Sequence, residues 1–285
     1  MYTTDLADPI AQNKLAMRYA RDVSWAPDGS ALITTIYPAN ETVPLLALVH
    51  TGHYMQLLGT TALAASWHPS ASNEITSITE TGTQVTLWNS TPDGKSVQAF
   101  KTFTLPLVAQ RLSWSPDGRF LAILATPGNS PSAQLIQGPS HAIYLFDTEQ
   151  NSVRTLVMPG SFSIGSLAWS PDGKILTYEQ IGAQGQESLH ALKPVNHQTL
   201  FTLNLQDPLL GMDWSPDNRA LVYSDGGVLH AYTLSGSAIQ FARLTGTASS
   251  PFWLDNQQVL YLAINQAAGQ LTLLAAQTNK SAEGS

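Results

Sequence analysis

Asn129, Gln134, Gln137 and His141 are the side chains best placed to touch a partner. They stand in TPGNSPSAQLIQGPSH, Thr126 to His141, a stretch rich in Gly, Pro, Ser and Gln. Amides and an imidazole set in such a stretch suit hydrogen-bonded recognition. A segment of this length without periodicity of its own is either a functional lip or a plain surface insertion.

Other candidates for chemistry are thinner. His50 and His53, in HTGH, are three residues apart. That spacing suits one face of a helix, whereas the surrounding residues read as strand and turn, and no third metal ligand stands nearby. His190 and His197 flank ALKPVN and read as solvated hairpin residues. GSFSIG, Gly160 to Gly165, approaches the nucleophile elbow G-x-S-x-G only in outline, because Phe162 holds the nucleophile position. SDGG, Ser224 to Gly227, lacks the alternating carboxylates of a calcium loop. No phosphate-binding or dinucleotide-binding glycine pattern occurs. With no cysteine in the chain, disulfides, thiolate metal sites and Cys nucleophiles are excluded. The expectation is therefore no catalytic residue, no metal and no cofactor.

The composition narrows the partners. Thirteen Lys plus Arg face twenty Asp plus Glu, a formal net charge of −7, and the bases form no stripe. Nucleic acid and anionic membrane surfaces are not expected partners. No apolar run is long enough to cross a bilayer as a helix, and the first twenty residues lack the basic start and apolar stretch of a signal peptide. Charged residues make up only 12% of the 285, about half the usual share, and Ser, Thr, Asn and Gln carry the polarity instead. That balance favours β-structure over helices laced with ion pairs.

The elements that must position any site come from a repeat. Six tryptophans share one frame: SWAPDG at Trp25, SWHPSA at Trp67, SWSPDG at Trp114, AWSPDG at Trp169, DWSPDN at Trp214 and FWLDNQ at Trp253. They lie 42, 47, 55, 45 and 39 residues apart, the span of a four-stranded propeller blade. Trp88 stands outside the frame, and its PDG is a different turn within the second repeat. In the third repeat QRLSW, RFLAILAT, HAIYLFDT and SVRTLVM read as four short strands joined mostly by tight turns. The letters SPDG explain themselves. Ser is expected to bond the backbone two residues on, Pro presets the turn, and Gly takes the left-handed conformation at its end. Asn218 replaces that Gly in one copy, and Asn tolerates the same conformation. The tryptophans are expected to fill wedges between blades.

The W-S-P-D-G frame, followed by an apolar strand and the IYLFDTE-type strand, resembles the TolB-like or WD-type repeat of six-bladed β-propellers. ARLTG, Ala242 to Gly246, resembles the close of such a repeat. WHPSASN and WLDNQQ depart from it, and the separate N-terminal domain of TolB has no counterpart. The resemblance covers about residues 20 to 280. It implies a single domain over residues 1–285, all-β, with six blades of four antiparallel strands beginning near the six tryptophans. After Trp253 only QVLYLAI and QLTLLAAQ remain as strands, so the stretch around PIAQNKLAM is expected to add the missing strand and close the ring.

The function so implied is non-enzymatic: a monomeric binding or scaffolding propeller presenting a loop-lined face to a protein, peptide or small ligand, as the sensor or interaction domain of a longer bacterial protein, extracytoplasmic rather than cytoplasmic. The alternative is a propeller hydrolase or lactonase with a polar site in the central channel. Second-to-third strand loops share the partner face with the blade-to-blade loops, and SPDG turns share the other. The loop from Thr126 to His141 is the longest on the partner face and accounts for the 55-residue step.

Overall fold

The computed structural model describes residues 2–5, 17–38, 44–51, 54–58, 62–105, 107–128, 140–239, 241, 247–265 and 270–278. The described residues contain no helix; they form six antiparallel sheets whose strands, apart from β1, follow chain order, the blade pattern of a six-bladed β-propeller. Blade 1 has β2 (Met17–Trp25), β3 (Ala31–Pro38), β4 (Leu45–His50) and β5 (Tyr54–Leu58), with β1 (Tyr2–Asp5) added outside β5. Blade 2 has β6 (Ala64–His68), β7 (Ala71–Thr81), β8 (Gln84–Ser90) and β9 (Val97–Thr104). Blade 3 has β10 (Leu107–Trp114), β11 (Phe120–Pro127), β12 (Ala142–Asp147) and β13 (Ser152–Val157). Blade 4 has β14 (Phe162–Trp169), β15 (Leu176–Gly182), β16 (Glu187–Lys193) and β17 (Gln198–Asn204). Blade 5 has β18 (Leu209–Trp214), β19 (Ala220–Asp225), β20 (Val228–Thr233) and a two-residue β21 (Ala238–Ile239). Among the described residues blade 6 has β22 (Thr247–Trp253), β23 (Gln258–Asn265) and β24 (Gln270–Gln277). Blades 1–3 belong to one compact unit, Met1–Ser161, and blades 4–6 to another, Phe162–Ser285.

The expected closing strand around PIAQNKLAM lies outside the described residues except for Met17, which begins β2. ARLTG lies outside them too.

Four of the cores sit in wedges between successive blades, and a smaller one, around Ile36, Ala47 and Met55, lies within blade 1. Ile33, Leu46 and Leu48 of blade 1 pack with Trp67 and Ile75 of blade 2. Ile78 and Leu87 of blade 2 pack with Leu112, Trp114, Leu121 and Ile123 of blade 3. In the second unit Leu189 and Phe201 meet Trp214 and Leu221, and Val222 and Leu229 meet Trp253 and Tyr261. Trp67, Trp114, Trp214 and Trp253 are buried, as expected of wedge fillers. Trp25 is exposed and Trp169 half-buried. Each stands on the first blade of its unit.

The SPDG turn forms with one change of partner. Gly118 N–H bonds the Ser115 carbonyl at 2.8 Å with φ at +71°. Ser115 Oγ donates to Asp117 Oδ1 and accepts from Phe120 N, five residues on, rather than bonding the backbone two residues on. Asp117 takes that local role, accepting from Arg119 N at 3.1 Å. Asn218 has φ at +62°, as its place in the turn requires. Its side chain also reaches across blades, accepting from Asp172 N at 2.8 Å. Asn256, in the altered sixth copy, accepts from Asp217 N at 3.1 Å. His68, in the altered second copy, packs edge-on against Trp114 with ring centroids 4.9 Å apart. The departures from the repeat are therefore ties and packing between neighbouring blades.

SDGG is also structural. Asp225 pairs with Val228, leaving Gly226 and Gly227 as a two-residue hairpin with φ at +58° and +90°, both left-handed. A Cβ on Gly227 would collide with the Thr247 side chain of blade 6. Gly227→Ala is expected to cost about 2–4 kcal/mol from backbone strain and overpacking together, read as a lowered denaturation midpoint. A loss under about 0.5 kcal/mol would show that the turn tolerates a side chain.

Candidate functional site

One groove lies in the first unit, where the β7–β8 turn meets the end of β11. It is a cleft of about 390 Å³. Blade 2 supplies Glu80, near the end of β7, and the turn residues Gly82 and Thr83. Blade 3 supplies Leu107 and Val108 from the start of β10 and Pro127 and Gly128 where β11 runs out. The turn is tight because Thr81 pairs with Gln84, leaving two loop residues with Gly82 at φ +65°. On the other side Leu107 pairs with Pro127 and Val108 with Thr126, so the inner strand and the loop root share one wall.

Glu80 ties the two walls together. Its Oε1 accepts from Ala109 N of blade 3 at 2.7 Å. Burial pushes its carboxyl above the usual carboxylate range, and the Ala109 bond pulls it part of the way back. Beside this half-buried acid, Leu107 is buried and Val108 is 43% exposed. The arrangement is an apolar wall with one carboxyl, suited to gripping a ligand that carries both an apolar surface and a hydrogen-bond donor.

Of the expected contact residues, His141 is described. It is half-buried, on the far root of the loop, just before Ala142 pairs with Ala125. Asn129, Gln134 and Gln137 lie outside the described residues. Glu80 and Val108 were not expected from the sequence.

The second unit holds an acid pair. Glu179 Oε2 accepts from Ser166 N at 2.9 Å, and Glu187 Oε2 accepts from Leu209 N of blade 5 at 2.7 Å. Burial raises the Glu179 carboxyl, and the Ser166 bonds and the Glu187 charge act in opposite directions on it. Ser166 sits in a bulge of β14, where a Cβ on Gly165 would strike the Glu179 carboxylate. His190 differs from its expected place as a solvated hairpin residue. It is half-buried, hydrogen-bonded to Ser188 at 2.9 Å and Thr202 at 3.2 Å, and stacked on Tyr178. His197 does lie in an exposed turn, with φ at +56°. Among the described residues no three His, Asp or Glu side chains gather as a metal site, and no helix is long and apolar enough to cross a membrane.

The chain matches no family model and no curated protein.

Proposed function

We propose that this chain is a binding or scaffolding propeller that receives a protein, peptide or small ligand at the Glu80 cleft, with the loop from Thr126 to His141 as its lip. The observation that carries the reading is the cleft itself: an exposed valine and a half-buried carboxyl beside the root of the longest loop. The likeness of the W-S-P-D-G frame to TolB-type repeats supports a platform role, in an extracytoplasmic bacterial setting and with the chain acting as a monomer. The hydrolase or lactonase reading would draw on Glu179 and Glu187. Their bonded oxygens already accept backbone N–H groups, whereas a catalytic carboxyl must reach a substrate proton.

A photo-crosslinking residue at Val108, in cells that make the protein, tests the reading against the same residue at Val195, an exposed turn position of the second unit. A covalent adduct is expected at Val108 and not at Val195. Val108→Asp, or a short Gly-Ser link in place of residues 130–139, is expected to weaken capture about tenfold with little change in melting temperature. Identical adducts at both positions, or none at Val108, would remove the cleft as the partner site.

A further inference from the structure

A second cleft, of about 270 Å³, lies at the opposite end of blade 2. Its position follows from strand alternation. Thr76 pairs with Asn89 and Asn89 with Gln98, so these side chains share one face of the sheet, and Glu74, Thr91 and Ser96 continue the same face two residues away. Further along that face stand Ile78 and Leu87, which pack into the wedge against blade 3. The face is thus apolar where it packs and changes to polar over three adjacent strands at one end.

The polar end is organised. Trp114 Nε1–H of blade 3 donates to Thr76 Oγ1 at 3.1 Å. Thr76 O–H donates to Asn89 Oδ1 at 3.1 Å. Asn89 Nδ2–H then donates to Glu74 Oε1. Every donor in this chain points the same way, from the buried indole to the carboxylate. The chain fixes the Asn89 amide orientation and leaves Glu74 at the cleft as an oriented acceptor. The amides of Asn73 and Gln98, both exposed, bond no other described side chain or backbone group.

We infer that this cleft binds a hydroxyl-rich ligand, a sugar unit or other polyol. A cation would use acceptors alone and an anion donors alone. Glu74 accepts, while the amides of Asn73 and Gln98 and the hydroxyl of Ser96 each donate and accept. Only a ligand whose own groups both donate and accept matches that mixture, and adjacent hydroxyls can bridge a carboxylate and an amide. The site uses no residue of the Glu80 cleft and stands or falls separately from it.

Saturation-transfer NMR on the full chain, with glucose, galactose, N-acetylglucosamine and myo-inositol as probes, tests the inference. Transfer to at least one probe is expected at millimolar concentration. Glu74→Gln is expected to weaken it about tenfold by removing the charged acceptor, and Gln98→Ala, an exposed change that leaves the sheet intact, to weaken it as well. No transfer to any probe overturns the inference. So does transfer that both variants leave unchanged, or binding of guanidinium in place of the polyols.

Discussion

Trp214→Ala is expected to lower stability by about 3–5 kcal/mol, a drop in melting temperature on the order of 10 °C. The indole fills the wedge between blades 4 and 5 beside Phe201 and Leu221, and it is 3% exposed. Its Nε1–H also donates to Thr177 Oγ1 at 3.1 Å, in a place where Thr177 is wholly buried. Two effects can be separated. Trp214→Phe keeps much of the apolar volume and strands the Thr177 hydroxyl, for an expected cost of about 1–3 kcal/mol. Adding Thr177→Val to that variant is expected to recover about 1 kcal/mol, because both partners of the bond are then gone. Chemical denaturation of Trp214→Phe, Thr177→Val and the double variant measures this. Additive losses in the double variant would show that the two side chains do not communicate.

Asp213→Asn is expected to stabilise the protein above pH 6 by about 2–3 kcal/mol. Asp213 precedes Trp214 in the repeat frame, where blades 1 and 2 carry Ser24 and Ser66. Ser24 Oγ accepts from Trp67 N of the next blade at 3.0 Å, and Asp213 Oδ2 accepts from Trp253 N at 2.8 Å in the same way. The hydroxyl makes that tie without charge. The carboxylate must shed water to make it, and burial pushes its pKa from 3.8 up to about 6, against the pull of the Trp253 and Trp214 N–H bonds. A folded-state pKa above the unfolded one means that the folded protein holds the proton more tightly. The stability this group contributes is full below pH 3.8 and is lost as pH rises to about 6. Asn retains an oxygen for Trp253 N and carries no charge, so the variant should lack that decline. Melting temperatures of both proteins across pH 4–7 decide it. Parallel curves would place the Asp213 carboxyl in water.

These results depend on positions whose letters look alike. The blade count, the strand order and the turn at each SPDG were legible because they are local. Pro sets one dihedral, Gly or Asn accepts a positive φ, and alternation sets the faces, all within about ten residues. Asn218 was readable as a turn residue for that reason. Its second bond, to Asp172 N, was not, because the partner is 46 residues away. His68 and Asn256 looked like decay of the repeat for the same reason. Glu80 and Glu74 carry no such mark in the sequence, because a single carboxylate in a strand of mixed polarity has no spacing to set it apart.

By itself, then, the sequence determined an all-β chain of six repeating sheets and their turns. Those features follow from steric limits on each residue and from period-two burial. The tertiary structure decided which side chain of one blade meets which backbone group of the next. It set Ser24 and Asp213 to the same task with different consequences for pH, and it drew Glu80 beside Val108 and Glu74 beside Asn89. Such pairings rest on how sheets stack side by side, and stacking is fixed by the whole wedge of apolar side chains rather than by the letters at any one turn.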